Sequence, residues 1–435
     1  MSYISKWFRD LWNLFTNELQ LIFHDSGVLL IFSFAGLVYP VLYNCIYHDG
    51  VVDEMPVAVV DNSHGSYSRR YVQKLDATRE CAIAYDCVSM AEARQLMADQ
   101  KVHGVIYIPS DFDTRLQRGE QATLSTYADM STFLYYKNMT IATNLVMLDE
   151  VHQIQAEHYA AAGFTGEDAA RLIEPVQYDD ARLYNTNISF TMFFVYMALM
   201  MILQQVLFYG SSTLAGTLRE EGRSFATSIG GHGMGRVVLG RGFAYFLIFL
   251  FLGAYGALLI PHLFHLPMHA RWWDMMLFLS FFVADCIFFS FTWSTAITKR
   301  ETVLVLLLFV SPIAVFLTGF TWPTENFPVF WRIVSYVFPS TFACRAYMTL
   351  SQTGSLSAIA PQMWAMTLQT VIYYVLASLA AYAENKMKPS VPIDGFFYDI
   401  CKQTNTYEKN QTVGTRPDGL PAARRRPAHL PQGMD

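Results

Sequence analysis

Few side chains in this sequence stand where they could do chemistry. Asp285 is the one acidic residue deep inside a long apolar run. An ionisable group at such a depth marks a proton or ion path by default. The alternative is a hydrogen bond to a neighbouring helix, for which Ser280, Ser290 and Thr292 are at hand. Gln204 and Gln205, in another apolar run, suit hydrogen bonds between helices or a place along a pathway. His262, His265 and His269 have spacings a metal could use on a helix, but Pro261 and Pro267 break that helix, so no metal site is expected. No GxxxxGK[ST] loop occurs, so no Walker A phosphate cradle is present. Gly230-Gly231-His232-Gly233-Met234-Gly235 follows no strand and reads as a flexible turn. Neither GxSxG nor HExxH occurs, which leaves no nucleophile–base pattern. No cofactor is expected on this chain, and nothing points to nucleic acid.

The densest short charged stretch is Thr217-Leu218-Arg219-Glu220-Glu221-Gly222-Arg223, which continues to Gly240 and adds Arg236. It lies between apolar runs at residues 188–209 and 237–260, each long enough to cross a bilayer, which takes about 20 residues. Arginines clustered beside membrane ends mark the cytoplasmic face. A chain that binds no nucleotide itself must receive mechanical work through such a loop, here residues 211–236. Arg219, Glu220, Glu221, Gly222 and Arg223 are its candidate contact residues; the plain alternative is a hairpin turn between two spans.

The elements that position these residues follow from composition. The chain of 435 residues is 53% hydrophobic and 15% charged, well below the roughly 25% charged of a soluble domain, so it reads as a membrane protein. Spans are expected at 28–47, 188–209, 237–260, 273–297, 303–320 (kinked at Pro312) and 363–383, six in all. Lys6, Arg9, the arginines of the 211–236 loop, Lys299-Arg300 and Lys386/Lys388 then share one side, as the positive-inside rule requires, and both termini are cytoplasmic. The first run reads as a retained anchor, since no small-residue cleavage site follows it. Residues 1–27 carry an amphipathic helix: Ile4, Trp7, Phe8, Leu11, Trp12, Phe15, Leu19 and Ile22 form its stripe, with Asp10 and Glu18 off it, as in a helix lying in the headgroup layer. Residues 321–360 are expected outside, with short helices at 327–338 and 342–350 lying on or dipping into the outer leaflet. The tail, 385–435, is polar and Pro-rich, ends near Arg424-Arg425-Arg426, and reads as disordered.

Residues 48–185 differ in character and read as an extracytoplasmic α/β domain inserted between the first two spans. Pro56-Val57-Ala58-Val59-Val60-Asp61 is a buried strand ending in the turn Asn62-Ser63-His64-Gly65. Helices are expected at 68–78, 89–100, 111–118 and 133–162, and strands at 82–88, 104–109 and 122–128. Cys81 and Cys87 share this domain and are either a disulfide or two free thiols. The fold class is therefore an α-helical membrane protein with six transmembrane helices plus this inserted domain.

Four stretches, in this order and spacing, resemble the permease subunits of ABC type-2 exporters, of the subgroup with a large external domain after the first span. They are Val57-Ala58-Val59-Val60-Asp61-Asn62-Ser63; Gly104-Val105-Ile106-Tyr107-Ile108-Pro109-Ser110-Asp111-Phe112 with Leu116-Gln117-Arg118-Gly119; Leu218-Arg219-Glu220-Glu221-Gly222; and Leu317-Thr318-Gly319-Phe320-Thr321-Trp322-Pro323 with Phe327-Pro328 and Phe338-Pro339. The likeness covers about residues 1–384. Two departures lie in the cytoplasmic loop, where Arg223 replaces the usual Thr after the glycine and His232-Gly233 stands near the family's Ser-Pro; they bear on which ATPase is engaged. The resemblance implies a permease in a bacterial inner membrane, a homodimer or a pair with a paralogue, and a cytoplasmic ATPase on a separate chain that carries the ATP and Mg. It also implies export of a hydrophobic or amphiphilic molecule, with membrane lipids around it and in some members a periplasmic adaptor and an outer-membrane channel. Two other classes compete: a membrane-anchored receptor or assembly factor, which needs only one or two spans, and an ion-coupled secondary transporter using Asp285, which would show paired broken helices or an internal repeat.

Overall fold

The computed structural model describes residues 3–48, 50–164, 166–174, 183–185, 189–222, 233–319 and 322–387. Arg223, residues 230–232 of the Gly-rich turn and the tail from 388 lie outside them.

Helix α1 (Tyr3–His24) leads into α2 (Ser26–Ile46). The side chain of Asp25 starts α2, accepting from the backbone N–H of Gly27 at 2.9 Å and of Val28 at 3.2 Å. The α/β region then follows as β1 (Met55–Asp61), α3 (Ser66–Asp76), β2 (Cys81–Asp86), α4 (Met90–Ala98), β3 (Gly104–Ile108), α5 (Phe112–Gln117), β4 (Ser125–Ala128) and α6 (Phe133–Ala161), with the short α7 (Glu167–Ile173) after it. Its sheet has the order β2-β1-β3-β4; β1 runs parallel to β2 and β3, and β4 antiparallel to β3. Parallel strands need helical crossovers, and α3 and α4 supply them on opposite faces. Val57, Val59 and Ile106 pack with Tyr71, Leu75 and Met139 on one face. Ala58, Val60 and Val105 pack with Ala93 on the other. Cys81 belongs to the first layer and Cys87 to the second, and both are buried free thiols, so the disulfide alternative falls.

The second half is helical: α8 (Phe190–Glu220), α9 (Met234–Leu263), α10 (Trp272–Ser294), α11 (Thr302–Leu317), α12 (Val329–Ser335), α13 (Pro339–Thr353) and α14 (Ala360–Met387). Among the described residues, five stretches are long and apolar enough to cross a membrane: α2, α8, α9, α10 and residues Leu356–Glu384, which contain most of α14. The sixth expected span, α11, has 16 residues with Pro312 inside it, about 24 Å of helix against a hydrocarbon core of about 30 Å. Helix α10 is central, with Phe278, Phe282 and Phe291 fully buried among α8, α9, α13 and α14.

Three expectations change. Residues 211–220, assigned to a loop, continue α8, because Ser211, Ser212, Ala215 and Gly216 are small and buried and let the helix pack closely. A Cβ at Gly216 would stand 2.8 Å from the backbone N of Arg300. Helix α13 does not lie on the surface: Tyr347 donates to Ala257 O at 2.8 Å, and Ser340 N donates to Gln204 Oε1 at 2.6 Å, so it is wedged between α8 and α9. In α1, Asp10, Leu14, Glu18 and Ile22 face the bundle, while Phe8 and Trp12 are each 63% exposed. The expected stripe is thus split, exposed at Phe8 and Trp12 but buried at Phe15 and Ile22, and the acids expected off it turn inward to Arg236 and Arg241.

Candidate functional site

At the end of the bundle where α8, α10 and α14 finish, charged side chains tie these helices to α1, α2, α9 and the turn before α11. The Arg219 guanidinium grips the Glu384 carboxylate at 3.0 and 2.9 Å and donates to the carbonyl of Ser294 at 2.6 Å and to that of Ile297. It therefore caps the C-terminus of α10, where cations are favoured, while tying α8 to α14. Arg300, in the turn before α11, holds both oxygens of Asp25 at 3.0 Å and also reaches Thr217 Oγ1 at 3.2 Å. Its backbone N–H donates to Glu220 Oε1 at 3.1 Å. Arg241 on α9 donates to Glu18 of α1 at 2.6 Å, with both side chains buried. Arg236, five residues before Arg241 on α9, lies 3.7 Å from Asp10, eight residues before Glu18 on α1. Gly222 has φ +74, the left-handed residue that closes α8, and its N–H returns to Arg219 O at 3.0 Å. This explains the glycine that ends the stretch Leu218-Arg219-Glu220-Glu221-Gly222: a Cβ is disfavoured at that backbone conformation.

The second feature is a cavity of about 720 Å³ between α2, α8 and α11. Its walls are apolar, with Phe34, Tyr43, Phe194 and Leu307 among them, and its few polar groups include Gln205, Tyr209 and Ser311. That is the composition of a site for a mostly apolar molecule with a few hydrogen-bonding groups. Asp25 starts α2, Thr217 stands on α8 and Arg300 precedes α11, so the three helices that wall the cavity are the three joined by the Asp25–Arg300–Thr217 contact.

The structure separates the residues singled out from the sequence. Arg219 and Glu220 join the charged end. Glu221 is the last helical turn's cap residue and Gly222 its stop. Gln205 lines the cavity, whereas Gln204 ties α8 to α13. Asp285 is fully buried in α10 and is not in the cavity wall. Ser280, Ser290 and Thr292 donate to carbonyls of their own helix, Thr292 also to Tyr373 O, and among the described residues neither Asp285 oxygen has a hydrogen-bond donor. Sequence reasoning missed the acids at the charged end: Asp10, Glu18, Asp25 and Glu384. Their one local signal was the four-residue spacing Asp10-Leu14-Glu18-Ile22, which puts acids and apolar residues on one helical face.

A family model described as ABC-2 family transporter protein matches residues 26–379, most of the chain. No curated protein matches it.

Proposed function

This chain belongs to the ABC-2 family of transporter proteins and is a transmembrane permease of an ABC transporter; from that premise we propose that it exports a hydrophobic or amphiphilic molecule under the control of a separate ATPase. The observation that carries the reading is the shared membership of cavity and charged end. A helix moves as a rigid body, so a push on the end of α8 or on the Arg300 turn displaces walls of the cavity. The charged end then faces the cytoplasm and takes the thrust of the ATPase, and the α/β region stands on the opposite side. In this reading the permease works as a dimer. Leu304, Leu308, Phe309 and Phe316 on α11 are exposed beside the cavity, where a second copy would close it. Asp285, outside the cavity wall, carries no step.

The test is transport in proteoliposomes that contain the ATPase. Gln205→Trp fills the cavity with an indole and is expected to cut transport at least about tenfold while ATPase co-purification is unchanged. Undiminished transport by this variant would place the path elsewhere.

A further inference from the structure

A second pocket, of about 230 Å³, lies at the other end of α14. It is walled by Thr324, Glu325, Arg332, Tyr336, Arg345 and Gln362, among others. Arg332 is held in place by bonds from its Nη2 to the carbonyls of Glu325 and Phe327, the latter at 3.1 Å. Its Nε is buried and has no acceptor among the described residues. Arg345 donates to Thr324 Oγ1 at 3.1 Å and pairs with the Glu325 carboxylate. Gln362 Oε1 is also buried without a donor, and its amide turned over would present an NH₂ there.

Charge and depth narrow the ligand. Two guanidiniums face one carboxylate, so the pocket keeps an excess positive charge. Glu325 is on the rim, its side chain 60% exposed. Hydrogen bonds from its own backbone N–H and from Arg345 hold its carboxyl below the usual carboxylate range, so it is ionised at neutral pH and competes with an incoming anion. From Gln362 to Glu384 at the charged end, α14 rises about 33 Å, close to one hydrocarbon thickness. The pocket therefore lies at headgroup level on the face opposite the charged end. Trp322, Phe330, Trp331, Ile333 and Trp364 are exposed around it, the apolar and aromatic belt of a membrane boundary.

We propose that this pocket binds the phosphate of an anionic phospholipid, with Arg332 and Arg345 on the phosphate oxygens and the acyl chains along the exposed face of α12 and the first turns of α14. Guanidinium forks match phosphate oxygens in geometry and charge. The depth argument rests on α14 crossing the membrane, as in the function proposed above. The experiment reads lipid binding and not transport, so the two can fail separately.

The full chain in neutral detergent is titrated with phosphatidylglycerol, with diacylglycerol of the same chains, and with inorganic phosphate, and binding is read by native mass spectrometry and thermal shift. Phosphatidylglycerol is expected to bind, and diacylglycerol at least about tenfold more weakly. Arg345→Gln is expected to weaken phosphatidylglycerol about tenfold, the ratio of one charge-assisted hydrogen bond. Glu325→Gln, which removes the competing carboxylate and leaves both arginines, is expected to tighten it. Gln362→Glu introduces a buried carboxylate and is expected to abolish it. Unchanged affinity in both Arg345→Gln and Glu325→Gln overturns the site. Displacement of phosphatidylglycerol by equimolar inorganic phosphate overturns the lipid as its ligand.

Discussion

Arg241 and Glu18 stand 2.6 Å apart with neither side chain open to solvent. Taking two charges out of water is expensive, and their attraction offsets the loss only while both are present. Removing one partner of such a pair costs about 3–5 kcal/mol, whereas replacing both with apolar groups of similar size is often close to neutral. Glu18→Leu is therefore expected to lower the thermal unfolding midpoint of the purified chain sharply, and Glu18→Leu with Arg241→Met to recover most of it. A double variant no more stable than the single one would mean that the cost of Glu18→Leu comes from the lost attraction between the two side chains and not from an unpaired buried Arg241. Hydrophobic periodicity assigns Glu18 to the outside of α1, since the method sees only neighbours along one helix. Arg241 lies 223 positions away, a separation no local pattern reports. Gln204 was legible for the opposite reason: a polar amide in an apolar run has few uses besides joining helices, and it joins α8 to α13.

Elements were read best where local chemistry sets their ends. The turn after β1 follows from Asp61, whose Oδ1 accepts from the N–H of Ser63 at 2.9 Å and of His64 at 3.1 Å. The stretch around Ser110-Asp111-Phe112 and the stretch ending in Ser63 proved to be partners. Asp113 accepts from Ser63 Oγ at 2.8 Å and from the N–H of Tyr67 at 2.7 Å, and a Cβ at Gly65 would stand 2.0 Å from its Cγ. Two patterns seen separately in the sequence are thus one joint between α3 and α5. The end of α8 was misplaced because small residues such as Ser211 and Gly216 look like loop, whereas Ser211 is buried within the helix and the turn at Arg300 packs against Gly216. That packing sharpens the expectation for the charged end. Glu220→Ala removes one hydrogen bond to a backbone N–H and should be mild, about 1 kcal/mol. Glu220→Lys with Glu221→Lys puts cations beside Arg300 and, in the function proposed above, would reverse the charge offered to the ATPase. We expect that pair to leave ATP hydrolysis intact and abolish its coupling to transport, checked by ATPase co-purification and by transport on the same preparations. Normal transport by the double reversal would move the contact to another element, with α1 the first candidate.

At the scale of the molecule, the ends of the helices carry opposite instructions. One end gathers Asp10, Glu18, Asp25, Arg219, Arg236, Arg241, Arg300 and Glu384 into paired contacts, and the other presents aromatic residues around α12. Arg236, Arg241 and Arg300 sit in short connections or the first turns beyond them, where basic residues fix orientation during insertion. The α/β region cannot vote, because long segments cross regardless of charge. Only α11 leaves the number of crossings open to test, since its 16 residues fall about 6 Å short of the hydrocarbon thickness. A short helix can still cross where the bilayer thins around it or where a second subunit shields it, at a fraction of a kcal/mol per Å of mismatch. If it crosses, the charged end and the 299–301 turn share one face of the membrane, the cytoplasmic one in the function proposed above, and α12 lies on the other. If it does not, α12 and the charged end fall on the same face, and the bond network between Arg300 and Asp25 would have to stand on the same side as Trp331. Cysteine substitution with a membrane-impermeant reagent separates the two. Labelling from outside intact cells is expected for Thr78→Cys and for Asn326→Cys, and not for Ser228→Cys. Labelling of Ser228→Cys from outside would reverse the orientation of the whole bundle, and protection of Asn326→Cys alone would remove α11 from the membrane.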